Sequence, residues 1–228
     1  MKLHAPHNWN VSPAEARSIQ ERLRGSVIAA GEPEQVSLVA GVDISVGGSG
    51  HSGLAAVVVL DYPELRAIEQ SVVTAAVTFP YVPGLLSFRE IPVLIPAFER
   101  LQHTPDLVVV DGQGMAHPRR FGLASHLGLL LDIPTIGCAK SRLTGHFVEP
   151  ATEAGAVSPL LDGDGERIGA VVRTRNGVKP VFVSVGHRIA LDAAVAWILC
   201  LTRGLRLPEP TRLAHRAAAG ERVAPAPT

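Results

Sequence analysis

The sequence predicts an α/β protein, a mixed β-sheet flanked by helices. Three observations predict it. Strand-like segments with short connections follow one another between residues 36 and 78. An apolar β-branched run, Leu107–Val110, is then followed at once by a Gly-rich turn and a helical pattern. Strand and helix patterns alternate beyond it. Hydrophobic residues make up 46% of the 228 and charged residues 18%, enough apolar side chains to fill one core and too few charges for a disordered chain.

The elements follow in order. Ser12-Pro13-Ala14-Glu15 reads as a helix start, with Ser12 as N-cap, Pro13 at the first helical position and Glu15 completing a capping box. Ile19, Leu23 and Val27 keep helical spacing, and Gly31 ends the segment. Val36–Ser45 reads as a strand, Gly47, Gly48 and Gly50 as a turn, and Gly53–Leu60 and Leu65–Thr78 as two further strands. Their short connections imply antiparallel neighbours. Phe79-Pro80-Tyr81-Val82-Pro83-Gly84 is a stiff loop, followed by Phe88, Ile91, Ile95 and Phe98 at helical spacing. Ser87-Phe88-Arg89-Glu90 fits a capping box there, although Pro92 suits a later helix start, and Pro96 should kink the helix.

After Leu107–Val110, Leu123–Leu131 reads as a helix and Pro134–Ala139 as a strand with Lys140 at its carboxyl end. Residues 151–166 are polar and Gly-rich, and read as loop. Arg167–Arg173 and Val178–Val185 look like a hairpin around Asn176-Gly177. Ile189–Leu201 is an apolar helix. Five arginines follow (Arg203, Arg206, Arg212, Arg216 and Arg222), with His215 among them, and then a Pro/Ala-rich tail expected to be flexible after about residue 217. Three meandering strands followed by strand–helix alternation is the order of the ribonuclease H-like fold, an analogy of fold that proves no activity. No repeat or linker divides the chain, so residues 1–228 are expected to form a single domain.

Composition excludes several classes. The formal net charge is zero, so no global basic field advertises a nucleic-acid partner. The chain has three lysines (Lys2, Lys140 and Lys179), which leaves 18 of its 21 cations as arginine, a bias that coding preference explains as well as phosphate binding does. Cys138 and Cys200 have no CxxC partner, so neither a disulfide framework nor a zinc finger is expected. No leader or membrane-spanning run is visible, and a cytoplasmic protein is expected.

Three acids carry the candidate chemistry. Asp43 lies in the first strand between Val42 and Ile44, Asp111 at the tip of the buried run, and Glu90 near a helix start. Each has a structural alternative: an outward-facing strand residue, a helix-capping Asp and a capping-box Glu. If the Asp111 strand pairs beside the first strand, Asp43 and Asp111 meet. Three converging carboxylates repel one another and cost several kcal/mol to desolvate, on the order of what only a cation offsets. An oxygen-only set favours Mg²⁺ or Mn²⁺ over zinc. Lys140 is placed to contact a phosphate, and His117 and His215 to ligate or move protons. Tyr81, framed by Pro80 and Pro83, is either a packed aromatic or a wedge between bases.

The sequence resembles the endonuclease V family, the deoxyinosine 3′ endonucleases (deoxyribonuclease V). The resemblance runs through VAGVDIS with Asp43, FPYVPGLLSFRE with Tyr81 and Glu90, VVVDGQGMAHPRRFGLASHLG with Asp111 and His117, IPTIGCAKSRL with Lys140, and TRLAH with His215. It covers about residues 10–216 and shows no departure at a catalytic position. It implies a Mg²⁺-dependent endonuclease, with Mn²⁺ as a substitute. Such an enzyme nicks DNA at the second phosphodiester bond 3′ to a deaminated base and leaves 3′-hydroxyl and 5′-phosphate ends for repair. It implies Asp43, Glu90, Asp111 and His215 as the metal set, with Lys140 and His117 around the scissile phosphate and base pocket. Tyr81 becomes the wedge, and Gly84, Leu86 and Gly112 the backbone of that pocket. DNA containing deoxyinosine is the implied partner and a monomer the expected state. The competing readings are a nuclease for inosine-containing RNA or a branched structure, and a non-catalytic nucleic-acid module. The latter predicts loss of at least one acid, and all three are present.

Overall fold

Strand order and register bring the candidate acids together, because the strands that carry them are neighbours. The computed structural model describes residues 1, 3–4, 6–47 and 51–225. Gly48 and Gly50 of the expected turn, and the last three residues of the tail, lie outside them. Eight strands form one sheet: β1 (Leu38–Val46), β2 (Ser52–Asp61), β3 (Ala67–Ala76), β4 (Leu107–Val110), β5 (Thr135–Ala139), β6 (Val157–Leu161), β7 (Arg167–Val172) and β8 (Val181–His187). Their spatial order is β3-β2-β1-β4-β5-β8-β7-β6. The first three are an antiparallel meander, β4 and β5 run parallel to β1, and β8, β7 and β6 return antiparallel. The β1–β4 register pairs Val42 with Val110, so the next residues, Asp43 and Asp111, leave adjacent parallel strands at the same level.

Alternation along the strands builds two cores. Val39, Leu107 and Val109 face α4 (Leu191–Cys200) and α5 (Glu209–Ala218). Ala40, Val42, Val108 and Val110 face α2 (Leu86–Glu99) and α3 (Leu123–Leu131). Both faces of the central strands are covered, which is why Leu107–Val110 has no polar residue. At Gly41 of β1, a Cβ would lie 2.0 Å from the Pro210 carbonyl oxygen. Only glycine lets α5 pack this closely, and that packing carries His215 over Asp43.

The first helix, α1 (Pro13–Leu23), has the expected capping box, and continues as one 3-10 turn, Arg24–Ser26. Four other readings need correction. The helix after the Pro-rich loop begins at Leu86, one residue before Ser87, with Leu85 as an N-cap that makes no side-chain bond. Ser87 therefore caps nothing, and the later start that Pro92 suggested does not occur. The stretch read as loop contains β6, an edge strand in which Pro159 hides the pattern. The hairpin around Asn176-Gly177 is an eight-residue connection, with β7 and β8 paired only from Ala170 to Val172. The arginine-rich stretch contains α5, with Arg212 and Arg216 upon it. Beyond α5, the Val223 and Ala224 amides donate to Gln70 of β3.

Candidate active site

Four elements meet at the carboxyl ends of β1 and β4. Strand β1 supplies Asp43, the tip of β4 supplies Asp111, the first turns of α2 supply Glu90, and the end of β5 supplies Lys140. Lys140 Nζ lies 2.5 Å from Asp111 Oδ2, and His215 Nδ1 of α5 lies 2.7 Å from Asp43 Oδ2. The other Asp43 oxygen accepts the Ile44 amide at 2.9 Å. Asp43 thus turns to His215 rather than out into water, and because the N-caps of α2 and α3 are Leu85 and Gly122, neither Glu90 nor Asp111 serves a helix cap.

The acids sense one another. Burial pushes the Glu90 carboxyl up to about 8, and Asp43 and Asp111 push it the same way. Asp111 is raised too, by burial first, with Lys140 opposing and Asp43 adding. Burial and mutual repulsion thus both disfavour the negative charge of these acids.

A cleft of about 360 Å³ opens beside the acids. Its walls include Tyr81, Gly84, Leu86, Asp111, Gly112 and His117, with Lys140, Arg142 and Leu143 along one side. Tyr81 is 71% exposed on the rim, so it is no packed core residue. Gly84 has φ +77°, and a Cβ there would lie 2.7 Å from Arg119 Nη2. Its carbonyl accepts three donors: Gln20 Nε2 at 3.0 Å, His117 Nε2 at 3.0 Å and Arg119 Nη2 at 2.8 Å. Arg119 Nε also reaches Gln20 Oε1 at 2.5 Å, which closes the knot.

His117 is therefore a pin. Its Nε2–H donates to Gly84, and its Nδ1 accepts the Arg119 amide at 3.1 Å. Burial and the nearby Arg119 push it down to about 4, so it is neutral at physiological pH. The expectation that it ligates a metal or moves protons does not fit a ring with both nitrogens committed.

The chain is similar to known proteins along nearly its whole length. The endonuclease V family profile matches residues 21–216. The chain belongs to the endonuclease V family. The endonuclease V of Gloeobacter violaceus is 53% identical over 92% of this chain and 87% of its own. That of Dehalococcoides mccartyi (strain BAV1) is 50% identical over 96% and 98%. Among solved structures, the Bacillus subtilis endonuclease V superposes with a TM-score of 0.91 at 33% identity, covering 96% of each chain. The Ciona intestinalis endonuclease V, solved with a 24mer DNA containing an inosine followed by a ribo-adenosine, gives a TM-score of 0.80 at 28% identity, over 91% of this chain and 96% of that one. Nuclease chemistry is therefore the activity that this site has to explain.

The donor set suits a hard divalent cation: three carboxylates and one imidazole whose mutual repulsion a cation would relieve. Among the described residues, however, no three such side chains already surround a common point as ligands. Asp111 is turned to Lys140 and Asp43 to His215, so loading would exchange these contacts for metal bonds. The sequence reading missed Gln20, Ser87, Gln113 and Arg119. Gln20 comes from α1, about a hundred residues away from the Phe121 carbonyl that it also binds, and no local spacing signals such a contact.

Proposed function

We propose that the chain is a Mg²⁺-dependent endodeoxyribonuclease, with Mn²⁺ as a substitute. It nicks one DNA strand at the second phosphodiester bond 3′ to a deaminated base, chiefly deoxyinosine, leaves 3′-hydroxyl and 5′-phosphate ends, and so opens repair. We propose further that it acts as a monomer in the cytoplasm. One observation carries the reading: a cleft large enough for a single base has Asp111 and Lys140 in its wall. The inosine-containing DNA bound by the Ciona intestinalis relative supports the choice of base.

Each residue has a task in this reading. A base is inspected only outside the stack, at a cost of about a few kcal/mol, least for a mispaired base. Tyr81, exposed on its Pro-framed loop, fills the gap that the base leaves. Leu143, 48% exposed, lines the same cleft and adds an apolar contact. The Gly84 and Gly112 backbones shape the pocket, and the knot on the Gly84 carbonyl keeps it rigid. A tight wall rejects guanine by leaving its exocyclic amine without room or partner.

Asp43, Glu90 and Asp111, with His215, would hold the cation. When bound, the cation supplies Lewis-acid chemistry at the scissile phosphate. Lys140 contacts that phosphate as a point charge that follows its change of shape. Arg142, in the same wall, adds positive charge for the backbone, so a net charge of zero is no obstacle.

A second reading, inosine in RNA, is favoured by one observation: the DNA bound by the Ciona intestinalis relative has a ribonucleotide next to the inosine. A nicking assay tests both. Matched oligonucleotides carrying deoxyinosine, inosine, uracil or an abasic site are incubated with and without Mg²⁺. Cleavage of deoxyinosine DNA that needs the metal is expected. No cleavage of it, or full cleavage in excess chelator, overturns the proposal. Faster cutting of inosine RNA than of deoxyinosine DNA selects the second reading.

A further inference from the structure

Two polar side chains in the cleft wall, Ser87 and Gln113, have no task in the chemistry above, and both are buried. Their hydrogen bonds fix what they can offer a ligand. Ser87 Oγ lies 3.0 Å from His126 Nδ1, inside the protein. His126 is fully buried among the rings of Trp9, Phe88 and Phe121. Its Nε2 lies 2.7 Å from His7 Nε2, and His7 Nδ1 lies 2.7 Å from the Asn8 carbonyl.

Proton counting along this chain has one solution for neutral rings. A carbonyl only accepts, so His7 carries its proton on Nδ1 and accepts at Nε2. His126 must then donate from Nε2, which leaves its Nδ1 bare. Ser87 therefore donates its only hydroxyl proton to His126 and keeps lone pairs alone for the cleft. Gln113 adds a second acceptor. Its Nε2 donates one N–H to the Ser141 carbonyl at 3.0 Å, while its Oε1 is buried with no hydrogen-bond partner among the described residues. The Gly84 carbonyl, by contrast, already holds its three donors.

The geometry points to Ser87 and Gln113 as specificity-determining acceptors that read the ring N–H created when a base is deaminated. The inference rests on the proposed base-reading function. Adenine has a lone pair at N1 and a 6-amino group. Deamination converts N1 to an N–H and the amino group to a carbonyl. The Ser87 and Gln113 oxygens, as acceptors, attract the N–H and repel the lone pair of the intact base, which is the discrimination the tight backbone pocket cannot supply. His126 and His7 are positioning residues that hold the hydroxyl of Ser87 in this direction.

The chain of histidines also makes the reading reversible. A proton added at His7 makes both its nitrogens donors. His126 must then accept at Nε2 and carry its proton on Nδ1, so Ser87 becomes the acceptor inside and turns its proton to the cleft. One proton at a half-buried ring thus inverts the Ser87 part of the wall and leaves Gln113 as it is. The charged and titratable neighbours are few: Arg22 of α1 acts on His7, and His7 on His126. Burial first, and then Arg22, holds His7 below its ordinary value, so the inversion belongs to acid and the acceptor form to neutral pH.

The test uses the full chain with Mg²⁺ and two duplexes, one with deoxyinosine and one with 1-deaza-deoxyinosine, in which a C–H replaces the N1–H. Single-turnover cleavage of the first should exceed that of the second about 10-fold or more at pH 7.5. The ratio cancels any titration of the acids, because both substrates use them. Ser87→Ala and Gln113→Leu should each lower the ratio, and Ser87→Thr should restore it. The ratio should fall below pH 6.5 in the wild type and stay level in His7→Phe. Nitrogen-15 shifts should show His126 protonated on Nε2 at pH 7.5. Equal cleavage of the two duplexes by the wild type overturns the inference, and so does an Nδ1-protonated His126. Absence of cleavage on deoxyinosine itself would overturn the proposed function instead.

Discussion

At Gly84 one carbonyl oxygen accepts three donors, and Arg119 Nε closes the group by donating to Gln20 Oε1. About the Asp43–Asp111 pair the balance is reversed: Asp111 pairs with one lysine and Asp43 with one exposed histidine, while burial and these two acids push Glu90 up to about 8. The first region is finished before any ligand arrives, and so is preorganised. The second is stable only with protons or partners that a ligand can exchange. In the proposed function, recognition is built into the resting fold, whereas the chemistry waits for a cation. Substitutions in the two regions should therefore fail differently.

The sharpest break is Asp111→Ala. It removes an acid from a site of mutual repulsion, so the fold should survive while nicking falls by about 10³-fold or more. A thermal melt and a single-turnover assay on deoxyinosine DNA check the pair of outcomes. Nicking near the wild-type rate would show that the acids are not the chemical centre.

The recognition region should break through stability instead. His117 is held at about 4, below the 6.5 of a free histidine. Between these values the unfolded chain binds more protons than the folded one. Stability is therefore full above about pH 6.5 and is lost as pH falls towards 4, by up to roughly 3 kcal/mol at 1.4 kcal/mol per unit. Urea unfolding at pH 7 and pH 4.5 measures the loss, and His117→Gln should flatten it. An unchanged slope in that variant would remove His117 from the knot.

Lys140 stands between the two regions. It lines the cleft and pairs with Asp111. Lys140→Ala should lower the single-turnover rate by about 10²-fold through lost charge stabilisation. An ammonium does not ligate a cation, so raising Mg²⁺ should not restore the rate. Full restoration would mean that Lys140 assembles the metal site and does not act on the phosphate.

The same contrast explains what the sequence made legible. Asp43 and Asp111 were readable because each interrupts or ends an apolar strand, and parallel pairing of those strands fixes their register. The capping box of α1 was readable because it is local. Helix α5 was not, since half of its buried residues are small alanines set among arginines, although Pro208 and Gly220 bracket it. Nor was the role of Ser87, whose spacing to Glu90 imitates a cap while its hydroxyl goes to His126, far along the chain. Charge in a strand leaves a mark in a one-dimensional pattern. Saturation of a carbonyl by three distant side chains leaves none.

Tyr81 gives the smallest effect and the finest test of the contrast, because it belongs to recognition yet touches little of the knot. It is 71% exposed, and the loop that carries it is held by Pro80 and Pro83 on either side and by the pinned Gly84 carbonyl. Little apolar area is lost from the core on truncation, so Tyr81→Ala should change stability by less than about 0.5 kcal/mol. Stacking of an aromatic on a base is worth about 1–3 kcal/mol. Discrimination of deoxyinosine duplex from normal duplex should therefore drop by about 10-fold, with the metal-dependent step slowed less. Binding to both duplexes, measured with Ca²⁺ in place of Mg²⁺, gives the selectivity, and single-turnover rates at saturating protein give the chemistry. A variant with wild-type selectivity would show that the exposed ring does not enter the duplex. A variant that loses stability as His117→Gln does would show that the wedge and the knot are one structure.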